Sequence, residues 1–279
     1  MSADRALVAV TVLTAFPDLL AGVRADGMVR IALEKGAAEL RVVHLRDHTV
    51  DRHRTVDDYP YGGGPGMVLK VEPVARALET LPAARQPREV ILLTPQGEPL
   101  RQTFFEQRAT GCDLVLVCGR YKGVDERIRS LVDRELSLGD FVLSGGEVAA
   151  MAVIDGLMRL IPGVPGDLDS ARGDSFATGI LDSAYYTRPE VWREQAVPPV
   201  LLSGHHAEIR RWRRQDALAR TLARRPDLLA GAALDEEDRR YLRALGWSSP
   251  TGGQRARNET DGSDGAPAKR APRRAGDGG

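Results

Sequence analysis

The segments at residues 7–13, 40–45, 90–94 and 114–118 constrain the fold most, because each is of strand length and nearly unbroken in its apolarity. Continuous rather than alternating apolar character is what strands covered on both faces show. Helical periodicity fills the gaps, at 27–37, 71–81, 100–110, 124–135 and 147–161. Pro73 falls in the first turn of its helix, where it is tolerated. Strand and helix in alternation confine the chain to an α/β domain with a mostly parallel sheet. Ligands of such sheets lie beyond the carboxyl ends of the strands.

Three segments at those ends share one character, an apolar strand that breaks into Gly or Pro before a helix. They are LLTPQGEP (92–99), VCGRYKGVDER (117–127) and SLGDFVLSGGE (137–147). In the last, Gly139, Gly145 and Gly146 flank a three-residue apolar stub, Phe141-Val142-Leu143, read as a very short strand. Glycine lets main chain come close to a ligand or to another segment, so the three loops predict a binding surface built from backbone. GGGPG (62–66) is not a phosphate loop, because no GK[ST] follows it, and no GxGxxG opens a helix after the first strand. It is either a sharp turn or a pocket wall with Tyr59 or Tyr61 beside it.

The stretch PGVPGDLDSARG (162–173) has no periodicity and predicts a flexible linker and a domain boundary. The expected organisation is therefore 1–161 as the α/β domain, 162–173 as linker and 174–247 as a small helical domain. The last 32 or so residues, 248–279, lack large apolar side chains and predict a disordered tail. Residues 6–16 are too short for a signal peptide, lack a small-residue cleavage site and run into Pro17, so a cytoplasmic location is expected. Nothing approaches the roughly 18 apolar residues of a membrane span. Cys112 and Cys118 lie in or beside an apolar strand and predict buried thiols rather than a disulfide, and no Cys/His spacing points to zinc.

Net charge is zero, so its distribution matters more than its sum. A long helix expected at 204–225, N-capped by Ser203, gathers Arg210, Arg213, Arg214, Arg220 and Arg224 on one arc, opposite Ile209, Trp212 and Leu222. With His205 and His206 at its start, that arc is either a solvated face or an electrostatic footprint for a phosphate backbone. Asp174, in GDSF, is either a helix N-cap or a general base. Arg159 either meets its own helix C-terminus or stabilises negative charge on a substrate oxygen. Residue types alone leave both pairs open.

Eight motifs in order then carry a family resemblance: YGGGPGM (61–67), LLTPQG (92–97), CGRYKGVDER (118–127), SLGDFVLSGGE (137–147), RLIPGV (159–164), DSF (174–176), YYTRP (185–189) and PPVLLSGHHAEIRRWR (198–213). Across residues 7–246 the chain resembles the bacterial TrmD family, tRNA (guanine-N1)-methyltransferases of the SPOUT class. The resemblance implies a deep trefoil knot in the α/β domain, a small all-α domain after it, and a homodimer with a shared active site that binds tRNA. It implies S-adenosylmethionine held by Leu93, Thr94, Pro95, Gln96, Gly119, Tyr121, Ser137, Leu138, Gly139, Phe141, Leu143, Gly145 and Gly146. The methyl group is expected on N1 of guanosine 37, next to the anticodon, with Asp174 removing the N1 proton and Arg159 steadying charge on O6. RNA contacts are expected from Arg210, Arg213, Arg214, Arg220 and His205.

The chain departs from the pattern in one chemically loaded place. Where the family reads GRYEG, Lys122 stands for the Glu, which in the family is tied to catalysis and to magnesium dependence. No metal ligand is therefore assigned, and a magnesium requirement is in doubt. Two other readings compete: a different SPOUT RNA methyltransferase, such as a ribose 2′-O enzyme, and a non-catalytic RNA-binding knot protein. The DSF motif and the long basic helix speak against the first.

Overall fold

A computed structural model describes residues 8–84, 86–165 and 173–248. Most of the expected linker, 166–172, and all but the first residue of the expected tail lie outside the described residues. The chain divides into two compact units, Met1–Ala233 and Leu234–Gly279.

In the first unit a five-stranded, wholly parallel sheet runs in the order β2-β1-β6-β5-β8. Its strands are β1 (Val8–Thr14), β2 (Ala38–His44), β5 (Arg88–Pro99), β6 (Asp113–Cys118) and β8 (Arg134–Ser137). The unbroken apolar runs have the cause expected of them. Val10, Val12, Ile91, Leu93, Leu114 and Leu116 face one cluster, while Leu13, Leu92, Val115 and Val117 face another. Successive side chains point to opposite faces, and both faces are covered. Helices α2 (Gly27–Glu34), α4 (Gln102–Arg108) and α5 (Glu147–Met158) supply residues to the first cluster, and α3 (Val71–Glu79) to the second. A short helix, α1 (Ala21–Ala25), precedes α2. Burying Ala150, Val153, Ile154, Leu157 and Met158 completely makes α5 a core helix; removing one such side chain, as in Leu157→Ala, costs about 2–5 kcal/mol.

Two expectations fail here. Residues 124–135 are not a helix: β7 (Gly123–Val124), a 3-10 turn at Glu126–Leu131 and β8 take their place. The apolar spacing at Val124, Ile128 and Leu131 is real, but Arg134–Leu136 pair with Ile91–Leu93, and those strand bonds outweigh helical periodicity. The stub Phe141–Leu143 is likewise no strand; its side chains are 55 %, 82 % and 36 % exposed, so its apolarity serves a surface instead of a sheet.

A second, three-stranded sheet joins β3 (Asp57–Asp58), β4 (Val68–Leu69) and β7, and so brings the GGGPG turn beside the loop after β6. Farther along, a two-stranded ribbon, β9 (Val191–Trp192) with β10 (Gln195–Ala196), precedes α6 (Pro199–Leu202) and α7 (His206–Arg224). In the second unit, α8 (Glu236–Ala244) opens on a capping box: Asp235 Oδ1 accepts from the Asp238 N–H at 2.8 Å, and Asp238 Oδ2 from the Asp235 N–H at 3.2 Å.

Candidate functional site

Strand β5 leaves its partner in mid-course. Leu93 and Glu98 both stand opposite Leu136 of β8, so residues 94–97 bulge out of the ladder. Gly97 is what permits the crossing, since a Cβ there would lie 2.4 Å from the Leu136 nitrogen. The bulge, the turn after β6 and the segment from β8 to α5 enclose a cleft of about 520 Å³. Leu93, Thr94, Pro95, Gln96, Gly119, Tyr121, Ser137, Leu138, Phe141, Leu143, Gly145 and Gly146 all line it. Gly139 does not; its carbonyl accepts from the Phe141 N–H at 2.9 Å, so it shapes the turn behind the wall.

Beneath the cleft lies a polar knot of side chains that sequence reasoning missed. Thr14, at the end of β1, donates from Oγ1 to Glu147 Oε1 at 2.7 Å. The other carboxylate oxygen, Oε2, accepts from Arg120 at 3.1 Å, and Glu147 is 1 % exposed. The Arg120 guanidinium also sits 3.8 Å over the Phe16 ring. Glu147 occupies the first turn of α5, where a negative charge meets the positive end of the helix dipole. This pairing explains two of the glycines. A Cβ on Gly145 would lie 2.3 Å from Glu147 Oε2, and one on Gly146 would lie 2.8 Å from Cys118 Cα. Thr14 and Glu147 are 133 residues apart, so no local pattern announces them. Cys118 itself is buried under the same turn, and burial pushes its thiol well above the ordinary range; Cys112 is shifted the same way by the same cause.

Charge in the cleft is uneven. Arg120 is matched by Glu147, and Arg129 by Glu135 and Glu126. Lys122 lines the wall with no ion pair among the described residues. Its backbone N–H donates to the Met67 carbonyl at 2.9 Å, and its stem lies 3.3 Å from where a Gly66 Cβ would be. Tyr121 holds a left-handed φ of 65°, rare for a side chain of its size; burial, then the charge of Asp57, raises its phenol above the ordinary range. Glu126 is the one carboxylate on the wall, and no group of three or more His, Cys, Asp or Glu gathers among the described residues. That donor set suits a divalent cation poorly. It suits a nucleoside-bearing cofactor well: apolar walls from Leu93, Leu136 and Leu138, main-chain groups laid bare by glycine, and a volume within the usual range for small-molecule sites.

Asp174 and Arg159 are brought together, their side chains forming an ion pair that is partly exposed on both sides. Arg159 caps the C-terminus of α5, while the cleft touches the first turn at Ala149. Ten residues of helix, about 15 Å at 1.5 Å per residue, separate them. Neither Asp174 nor Arg159 lines the cleft.

The basic helix begins later than expected. His205, not Ser203, is the N-cap residue of α7, and the Ser203 hydroxyl accepts from the His205 N–H at 3.1 Å. The five RNA-contact candidates divide. Arg210 and Arg213 are exposed and line a groove of about 590 Å³, and His205 is exposed at the helix start. Arg220 is held by Asp216 at 2.7 Å, and Arg214 donates to the Ala233 carbonyl at 3.2 Å.

Comparison with known proteins places the chain among relatives. The profile of the family described as tRNA (Guanine-1)-methyltransferase TrmD matches residues 8–231. Proteins named tRNA (guanine-N(1)-)-methyltransferase are similar over most of their length. That of Syntrophotalea carbinolica is 54% identical over 87% of this chain and 98% of its own. That of Moorella thermoacetica is 52% identical over 85% and 96%, and that of Chloroflexus aurantiacus 51% identical over 86% and 97%.

Proposed function

This chain belongs to the tRNA (guanine-1)-methyltransferase family, TrmD, and is a tRNA (guanine-N1)-methyltransferase; on that premise we propose how its residues serve the transfer. The methyl donor is S-adenosylmethionine, whose sulfonium supplies an electrophilic methyl group when bound. The cleft walled by the 94–97 bulge and by Gly119, Leu138 and Gly145 holds it. The acceptor is N1 of guanosine 37 in tRNA, and the enzyme acts in the cytoplasm with its substrate. N1 of guanine carries a proton, so a base must take it as the new bond forms. Asp174 is that base, and Arg159, already paired with it, turns to the charge that deprotonation pushes onto O6.

One observation carries the assembly: the donor cleft and the Asp174–Arg159 pair lie at opposite ends of α5. Methyl transfer demands that donor carbon and acceptor nitrogen approach to about 3–3.5 Å. A second copy of the chain, presenting its Asp174 to this cleft, meets that demand; the enzyme is a homodimer whose two active sites are each shared. The trefoil knot fits the same region, because the segment from β8 to α5 runs back under the turn after β6, where Gly146 donates to the Gly119 carbonyl at 2.8 Å. Residues 1–161 form the catalytic domain, 162–173 the linker and 174–247 the tRNA-binding domain.

The test is methyl transfer to an unmodified tRNA transcript with guanosine at position 37, with adenosine there as control. N1-methylguanosine is expected at that position alone. Asp174→Ala should lower kcat by roughly 100-fold or more while donor binding, measured by calorimetry, persists. Methylation on a ribose, or tight tRNA binding without transfer, overturns the proposal.

A further inference from the structure

The charges on the wall of the donor cleft do not cancel. Arg120 is neutralised by Glu147, and Arg129 by Glu135 and Glu126, so the acid on the wall, Glu126, is itself engaged. Lys122 lines the same wall, is exposed, and makes no ion pair among the described residues. An ammonium left over in a concave site is matched by an anion that the ligand brings.

Lys122 is also constrained. Its N–H donates to the Met67 carbonyl at 2.9 Å, and the two residues after it pair with Val68 and Leu69 of β4. A Cβ on Gly66 would lie 3.3, 3.7 and 3.9 Å from Cβ, Cδ and Cγ of Lys122, so the stem runs close along the main chain of the GGGPG turn. A side chain guided by both its backbone and its first carbons loses less freedom when its ammonium is engaged than one on a free turn. The apolar lining of the cleft comes from other elements: Leu93, Leu136 and Ala149 stand on β5, β8 and α5. The cleft thus has an apolar lining from the large sheet and its helix, and a cationic one from the small sheet.

We propose that Lys122 binds the carboxylate of the amino-acid end of S-adenosylmethionine and so sets which way round that end lies. This role rests on the donor placement given above. The adenosine takes the apolar lining, and the tail crosses toward the small sheet. A cation on the wall attracts the carboxylate and repels the sulfonium, so a tail turned the other way is disfavoured on both counts.

The experiment uses the full chain and two probes: S-adenosylhomocysteine, which keeps the carboxylate, and its decarboxylated analogue, which lacks that group alone. Affinities are read by calorimetry, folding by the urea midpoint, and tRNA affinity by fluorescence anisotropy. Lys122→Met, which keeps the stem and removes the charge, is expected to weaken S-adenosylhomocysteine binding by roughly tenfold or more and to leave the analogue within about twofold. Lys122→Arg should bind both probes much as wild type does. Added salt should narrow the gap between wild type and Lys122→Met for S-adenosylhomocysteine alone, since exposed charges are screened. Equal losses for the two probes overturn the role and make Lys122 a shaper of the wall. Unchanged affinity for both overturns it too, and a loss of tRNA affinity alone assigns the ammonium to an RNA phosphate instead. In each of these cases the donor cleft and the methyltransferase function stand. A folded wild type that binds neither probe removes the donor cleft and this role together.

Discussion

Gly97 is required by proximity alone. No unusual φ marks it; the main chain of Leu136 simply passes where a side chain would start. Gly97→Ala is therefore expected to destabilise the protein toward the upper end of the roughly 1–3 kcal/mol typical of overpacking, read as a lower urea midpoint, and to weaken donor binding because the bulge must shift. An unchanged midpoint would mean that the two strands part more easily than they pack. Lys122 raises the opposite question, since its place is roomy and its charge is what counts. It adds the unmatched cation on a wall where each arginine has an acid. Magnesium titrated against initial rate should leave wild type nearly flat and give Lys122→Glu a rising dependence. Superimposable curves from the two proteins would remove any link between this residue and the metal.

At the scale of elements, one carboxylate ties the edge strand β8 to helix α4. Glu89 of β5 accepts from Arg108 of α4 at 2.9 Å and from Arg134 of β8 at 2.7 Å. Burial works against its charge, yet the two guanidinium groups hold its carboxyl below the ordinary value. A carboxylate depressed by folding contributes stability that is whole above its unfolded pKa and disappears as pH falls through the folded one. Glu89→Gln should thus cost on the order of 2 kcal/mol near neutrality, less than the ~3–5 kcal/mol of a fully buried pair. The gap between variant and wild type should close as thermal unfolding is followed down through the acid range; a gap independent of pH would assign the loss to packing. This same region shows what the sequence disclosed and what it hid. Strands β1, β2, β5 and β6 were legible because burial on both faces leaves unbroken apolar runs, and the loops after them because glycine and proline interrupt those runs. The segment 124–135 was misread because its spacing satisfies a helix while its fate is decided by a neighbour some forty residues away. The Thr14–Glu147–Arg120 contacts were invisible for the same reason: three ordinary polar residues gain meaning only where the strands converge.

For the molecule as a whole, the separation along α5 turns oligomeric state into a matter of chemistry. If each active site takes its cleft from one copy and its base from another, two inactive variants can rescue each other. Leu138→Trp, which fills the cleft, and Asp174→Ala should each be silent alone. Co-expressed, they should form mixed dimers with one intact site in two, and recover roughly a quarter of wild-type activity if pairing is random. Recovery absent despite confirmed mixed dimers would place both halves of the site within one chain. The bulge at residues 94–97 also bears on how the donor is met. Its ends are fixed by β5 on both sides of the excursion, to β8 at Leu93 and again at Glu98. Ordering a free backbone costs about 1–2 kcal/mol per residue, so a loose four-residue loop would forfeit about 4–8 kcal/mol when it closed on a ligand. Here that loss falls on folding instead, and with the donor placed as proposed the cofactor meets a surface already set.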